Sequence, residues 1–233
     1  TKTEQMLTEG ATFIDVGAYS SRPDAQHISE EEELCRITPI IELLVKEFPN
    51  IILSIDTFRS KVAKETVNAG AAMINDISGG NLDEHMMKCV AELQVPYILM
   101  HMKGTPQSMK NENKYKNMLQ EILFYFSEKI KTARNLGIND LILDPGFGFA
   151  KNIPQNFELM NQLELFKNLD HPFLVGISRK SFIYKSLQTT PQGALNGTTM
   201  LHTVSLMKGA SILRVHDVKE AVECVKLYQQ LKQ

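Results

Sequence analysis

The sequence predicts an α/β fold of the (β/α)8 TIM-barrel type, on three observations. Short β-rich runs alternate with helical patterns from end to end, glycines close helical stretches just ahead of the next strand, and polar residues follow nearly every strand. Seven strand–helix units can be read, with strands expected over residues 12–16, 51–55, 73–76, 96–100, 140–143, 173–177 and 212–215. Together with a leading helix over residues 2–9, they are what an eight-unit barrel leaves when its first strand is absent. An open doubly wound sheet is the alternative, but such sheets gather their ligand contacts at one switch point.

In chain order, the leading helix ends at Gly10 and the first strand runs into Gly17 to Arg22. The stretch Ala18 to Ala25 carries few apolar residues and reads as an exposed loop, a common place for substrate contacts. Ser29-Glu30-Glu31-Glu32 has the form of a capping box, opening a helix toward Phe48 with Pro49 just past its end. The next strand delivers Asp56-Thr57, and a helix closed by Gly70 leads to Asn75-Asp76. His101 follows the fourth strand, and Gly137 closes the helix before the fifth. Asp144 ends the fifth strand at a Pro-Gly turn, Ser178-Arg179-Lys180 follow the sixth, and Gly209 precedes a last strand bearing Arg214 and His216. No segment is rich enough in Gly, Ser and Pro to be a linker, so residues 1–233 are expected to form one domain.

At 26.3 kDa with a net charge of -2 and no single-sign block, the chain offers no surface suited to nucleic acid or membrane. A small polar ligand is the better expectation. Cys35, Cys89 and Cys224 fall singly in expected helices, which fits small core residues in a reducing compartment and a cytoplasmic protein. No apolar run approaches the ~18 residues of a membrane span, and Thr1 does not begin a signal peptide. The histidines lack metal-protease spacing, Gly146-Phe-Gly148 lacks the third glycine of a dinucleotide fingerprint, and residues 176–181 lack the glycine spacing of a phosphate loop.

Asp144 anchors the chemistry, because a carboxylate at the end of a buried strand is costly unless hydrogen bonds or a ligand satisfy it. With Asp56, Asn75 and Lys180 at equivalent strand ends it makes a ring of donors and acceptors suited to a flat heterocycle with a guanidine-like edge. The plainer reading of each is a structural pair at a strand end, Asp with Lys. Arg214 and a protonated His216 would suit a phosphate or diphosphate; the alternative is an Arg214 ion pair with Asp217 or Glu220.

The ordered motifs resemble the dihydropteroate synthase family. They are Asp15-Val-Gly-Ala-Tyr-Ser-Ser-Arg-Pro23, Ser54-Ile-Asp-Thr57, Ile74-Asn-Asp-Ile77, Leu99-Met-His-Met-Lys-Gly-Thr-Pro106, Leu143-Asp-Pro-Gly-Phe-Gly-Phe149, Gly176-Ile-Ser-Arg-Lys180 and Arg214-Val-His-Asp217. The resemblance implies joining of a dihydropterin hydroxymethyl diphosphate to 4-aminobenzoate, with release of diphosphate. By matching position it implies that Asp56, Asn75, Asp144, Lys180 and Arg214 hold the pterin and that Arg214 and His216 face the diphosphate. Ser21, Arg22, Pro23, Phe149, Lys180 and Ser178 would shape the aminobenzoate pocket, with Lys180, Arg214 and His216 as the catalytic set. Mg2+ as cofactor and a homodimer are implied likewise.

Two features depart from the family pattern. Ala18-Tyr19-Ser20-Ser21 stands where Gly-Glu-Ser-Thr is common, and the family's first strand with its metal-binding asparagine has no counterpart from Thr1 onward. The expectation is therefore an unclosed barrel with no metal ligand of its own in this chain. A pterin-dependent methyltransferase and a non-catalytic pterin-binding paralogue are the competing readings. The Ser-Arg-Pro loop, Ser178 to Lys180 and Arg214 to His216 argue against the methyltransferase, which needs no diphosphate or aminobenzoate pocket.

Overall fold

A computed structural model of the chain describes residues 1–20, 26–109 and 112–232. Helix α1 (Lys2–Thr8) leads into β1 (Ile14–Val16), α2 (Glu30–Glu47), β2 (Leu53–Asp56), α3 (Ser60–Asn68), β3 (Met73–Asp76), α4 (Met86–Leu93) and β4 (Tyr97–Met100). The alternation continues through α5 (Met118–Asn135), β5 (Leu141–Asp144), α6 (Ile153–Asn161), β6 (Leu174–Val175), α7 (Ser181–Ser186), α8 (Leu195–Met207), β7 (Ile212–Leu213) and α9 (Val218–Gln230). Gly10, Gly70, Gly137 and Gly209 all take positive φ, from +85° to +112°, where the sequence places helix ends.

Every strand pairing is parallel. Strands β1 to β5 lie side by side in chain order, β6 pairs with β7, and a single bridge from Leu143 to Phe173 joins the two groups. These are seven strands of a (β/α)8 barrel, and among the described residues no ladder joins β7 to β1. The last two strands are shorter than the expected 173–177 and 212–215. Their mutual ladder is only Leu174 with Ile212 and Val175 with Leu213, after which the backbone turns into the Ser178 to Lys180 loop.

Strand alternation splits the apolar residues into two layers. Leu53, Ile55, Ile74, Leu99, Leu143 and Val175 face the helices and pack with Ile41, Val62, Phe126 and Phe166. Met73, Ile98, Ile142 and Leu174 face inward and form a small apolar floor with Ile212. The register carries this inner face upward: Asn75 pairs with Ile98, Asp56 with Asn75, and Asp15 with Ser54. The barrel interior is thus apolar below and polar at the carboxyl ends of its strands.

Two sequence expectations change. Cys224 is buried and Cys89 half-buried, but Cys35 is exposed, because the buried side of α2 is formed by Glu33, Ile37, Ile41 and Leu44. Of the capping box only one half is found: Ser29 Oγ accepts from the Glu32 amide at 3.1 Å. The next acid does more. Glu33 is fully buried, accepts from Arg59 Nη1 at 2.6 Å and Thr57 Oγ1 at 2.8 Å, and so pins α2 to the β2–α3 turn. Removing one partner of a buried pair leaves the other charge uncompensated. Glu33→Ala should therefore cost about 3 kcal/mol, read as a lower midpoint of one urea transition spanning residues 1–233 as a single domain. A loss below about 1 kcal/mol, or two separate transitions, would contradict this.

Candidate active site

A cavity of about 770 Å³ runs from the barrel mouth along the open side between β7 and β1, where Met6, Ile14, Ala221 and Val225 line it, and six polar residues of its wall come from five strand ends: Asp15, Asp56, Asn75, Lys180, Arg214 and His216. Ser54 and Ser178 add hydroxyls, and Met73, Ile98, Leu174 and Ile212 line it below. Asp144 and Phe149, expected at the same site, stand outside the cavity wall and meet it through Lys180. Asp144 is the principal charge opposing the effect of burial on Lys180, and the Lys180 ammonium sits 4.8 Å from the centre of the Phe149 ring. Ser21, Arg22 and Pro23 lie outside the described residues.

Arg214 is the hub. Its Nε donates to Asp15 Oδ2 at 2.6 Å and its Nη2 to Asp56 Oδ2 at 3.0 Å, while Asn75 Nδ2 donates to the same Asp15 oxygen at 3.1 Å. The alternative pairing of Arg214 with Asp217 or Glu220 is not what forms. Arg179 takes Asp217 instead, in a fork at 2.8 and 2.9 Å, and also donates to the carbonyls of Pro191 and Gln192. That leaves the Arg214 guanidinium to the two carboxylates inside the barrel.

Burial raises the Asp56 pKa to about 7, and the neighbouring Asp15 charge pushes the same way against Arg214. Burial also raises Asp144, which is relieved by the Lys180 charge and by the Gly146 amide donating to Oδ1 at 2.8 Å. It lowers Lys180 to about 8, with Asp144 opposing. His216 corrects an expectation: partial burial and the Arg214 charge hold its pKa below the ordinary value, so a neutral ring, not a protonated one, faces the cavity at pH 7. Ser178 is also engaged, its Oγ accepting from the His216 amide at 3.3 Å.

Asp15 is the residue that reading the sequence left without a role. The signal was present, since it is the one charged residue of a short strand that runs into Gly17, and its register with Ser54 turns it inward. Its Oδ1 is buried without a hydrogen-bond partner, an acceptor held ready beside the Arg214 hub.

Comparison with known proteins agrees with this geometry. A sequence profile described as pterin binding enzyme matches residues 1–216. The chain is 40% identical over 226 residues to the dihydropteroate synthase of Escherichia coli K12, covering 96% of this chain and 79% of that one. Its fold is similar to a Yersinia pestis dihydropteroate synthase solved with a sulfonamide drug, with a TM-score of 0.95 and 38% identity over 99% of this chain and 84% of that one. It is also similar to a Xanthomonas albilineans dihydropteroate synthase solved with 4-aminobenzoic acid, with a TM-score of 0.92 and 35% identity over 99% and 83% of the two chains.

The carboxylate pair makes a measurable statement. Asp56 binds its proton up to about pH 7 in the folded state but only to about 4 in an unfolded chain, so its contribution to stability falls as pH rises between those values. Replacing Asp15 by Asn removes the largest of the charges that raise the value, burial remaining. In Asp15→Asn, a carboxyl-carbon NMR titration should place the Asp56 midpoint below that of the unaltered protein. An unchanged or higher midpoint would refute the coupling.

Proposed function

The chain belongs to the dihydropteroate synthases of the pterin-binding enzyme family, and from that premise we propose how its own residues carry the reaction. The reaction joins 6-hydroxymethyl-7,8-dihydropterin diphosphate to 4-aminobenzoate, giving 7,8-dihydropteroate and diphosphate. The observation that carries the assignment of roles is that Asp56, Asn75, Lys180 and Arg214 line one cavity although they come from four different strand ends.

In this reading the pterin lies flat over the apolar floor, its ring N–H and exocyclic amine donating to buried carboxylates, Asp144 foremost with Asp56 on the other side. Lys180 donates to the ring carbonyl, and Asn75 both donates and accepts. Arg214 spends two of its donors on Asp15 and Asp56; its remaining N–H groups face the diphosphate together with His216. As the C–O bond breaks, the pterin ring takes up the positive charge on the methylene carbon, and the acids around it favour that charge electrostatically. The aminobenzoate nitrogen then attacks and loses its proton readily, so no general base is required. Lys180, Arg214 and His216 are the catalytic set. Ser21, Arg22, Pro23, Phe149 and Ser178 shape the aminobenzoate pocket, where Phe149 offers the flat face.

Mg2+ belongs to this proposal through the substrate. Among the described residues no group of three or more His, Cys, Asp or Glu could hold an ion. The side chains in hand do not make a magnesium site of their own, so no step here is routed through it, and the diphosphate oxygens would bring the ion. We also propose a cytoplasmic protein; among the described residues no helix is long and apolar enough to cross a membrane.

Turnover tests the assignment. Diphosphate release should require both substrates, fall on chelation of Mg2+, and be inhibited by sulfonamides in competition with 4-aminobenzoate. No release with both substrates and Mg2+ present would sink it. In the same preparation Asp144→Ala and Lys180→Ala should each weaken pterin binding by about 2–4 kcal/mol in calorimetry. Unchanged affinity in both would remove those residues from the pterin site.

We propose a homodimer as well. Leu187, Met200 and Met207 are large apolar side chains exposed at the end of α7 and along α8, and Leu227 and Leu231 are exposed on the neighbouring α9. Sedimentation should give twice the chain mass, and Met200→Lys with Met207→Lys should shift it to one. A monomeric unaltered protein would refute the proposal.

A further inference from the structure

We propose that Lys151 is a positioning residue that sets the aminobenzoate side of the site by holding the loop between β5 and α6 in one shape. The inference rests on the aminobenzoate role given to Phe149 above.

This loop is conformationally expensive. Gly146, Gly148 and Ala150 have φ of +72°, +78° and +48°, a region that a residue with a Cβ such as alanine adopts only under strain. The alternation of left-handed residues interrupts any regular ladder: the Gly146 carbonyl accepts from the Phe149 amide at 3.1 Å, and side chains satisfy those of Phe147, Phe149 and Ala150. Lys151 does so from the loop's own end. It is 8% exposed, and its Nζ lies 3.0 Å from the Gly146 carbonyl oxygen, 3.1 Å from that of Phe149 and 3.2 Å from His101 Nδ1.

Burial lowers the Lys151 pKa to about 7, with the Asp144 charge opposing; in its charged form the group has three donors, and here it has three acceptors. No donor is left for a substrate, which separates positioning from catalysis. His101 can accept because burial and the Lys151 charge hold its ring neutral. A shorter or apolar side chain would leave the Phe149 carbonyl and the imidazole nitrogen without this donor, and the Gly146 carbonyl with the Phe149 amide alone.

What the clamp fixes is specific. Between the two held carbonyls lie Phe147, whose carbonyl accepts from Lys180 Nζ, and Gly148, whose amide donates to Asn156 Oδ1 at 2.7 Å. Phe149 follows, under the Lys180 ammonium. Added bulk cannot substitute for the tight turn, since a Cβ on Gly146 would lie 2.1 Å from the His101 carbonyl oxygen. Tyr115 adds a weaker tie, its Oη donating to the Ala150 carbonyl at 3.0 Å. By contrast Asp56 and Asn75 sit on strands with ladders of their own, so those two pterin contacts do not depend on this loop.

The test pairs a ligand-free readout with a binding comparison. In Lys151→Met, which keeps the length and removes the donors, backbone amides of residues 146–150 should exchange with deuterium at least tenfold faster while β2 and β3 are unaffected. Affinity for pteroate, which spans both pockets, should fall about tenfold, and affinity for a pterin alone should change less than threefold. In turnover the KM for 4-aminobenzoate should rise by a similar factor with kcat within threefold. Unchanged exchange in the loop, unchanged pteroate affinity, or an equal loss for pterin and pteroate would overturn the inference. Failure of the unaltered protein to bind pteroate would instead strike the functional reading itself. Should Lys151→Met not fold, Tyr115→Phe loosens the same loop without touching a buried charge. It should give the same pattern at about threefold, and no change there would overturn the inference equally.

Discussion

The site depends on one guanidinium held between two acids. Asp15 and Asp56 sit on neighbouring strands of a barrel mouth whose walls limit solvent, and two carboxylates so placed repel. Arg214 arrives from beyond β7 and bonds both. It therefore also links β7 to β1 and β2 through side chains, across the side of the barrel where the described residues form no backbone ladder. Such buried charges stabilise a fold only when their geometry satisfies them. Burial raises Asp56 to about 7, with the neighbouring Asp15 charge adding to it and Arg214 opposing both.

The alternation of a parallel strand supplies the rest. Along β2 to β5 the inward residues are apolar at the floor except Ser54 and polar at the top except Met100, and the same register that packs Ile98 against Ile142 carries Asn75 and Asp56 to one level of the mouth. The outward residues meanwhile bury against the helices and owe nothing to the ligand. Stability and chemistry are thereby separated along each strand, the division expected of barrels whose sites occupy the carboxyl-terminal rim.

That division explains what could be read from the chain alone. Strand positions, helix-ending glycines and the strand-end ring of Asp56, Asn75, Asp144 and Lys180 follow from local patterns, and these were legible. Ionic partners were not, because they depend on which side chains meet across the mouth. Asp217 lies three residues from Arg214 in sequence yet pairs with Arg179, while Arg214 reaches Asp15, 199 residues away. Glu33 looked like one acid among several at a helix start, and only the packing of α2 against Arg59 shows it to be fully buried. Protonation states were hidden for the same reason: the lowered pKa of His216 follows from its partial burial and the Arg214 charge and not from its own position in a motif.

Lys180 ties the two halves of the site together. Burial lowers it to about 8 and Asp144 holds it charged, its Nζ donates to the Phe147 carbonyl, and its ammonium stands over the Phe149 ring. One face of this residue thus belongs to the pterin side and the other to the loop that presents the aromatic wall. A ligand carbonyl taking a hydrogen bond from Lys180 stabilises the charged form, and a charged Lys180 in turn favours both the carbonyl it already holds and the ring beneath it. The Phe147 carbonyl and the Phe149 ring are thus held by the same side chain that Asp144 keeps charged.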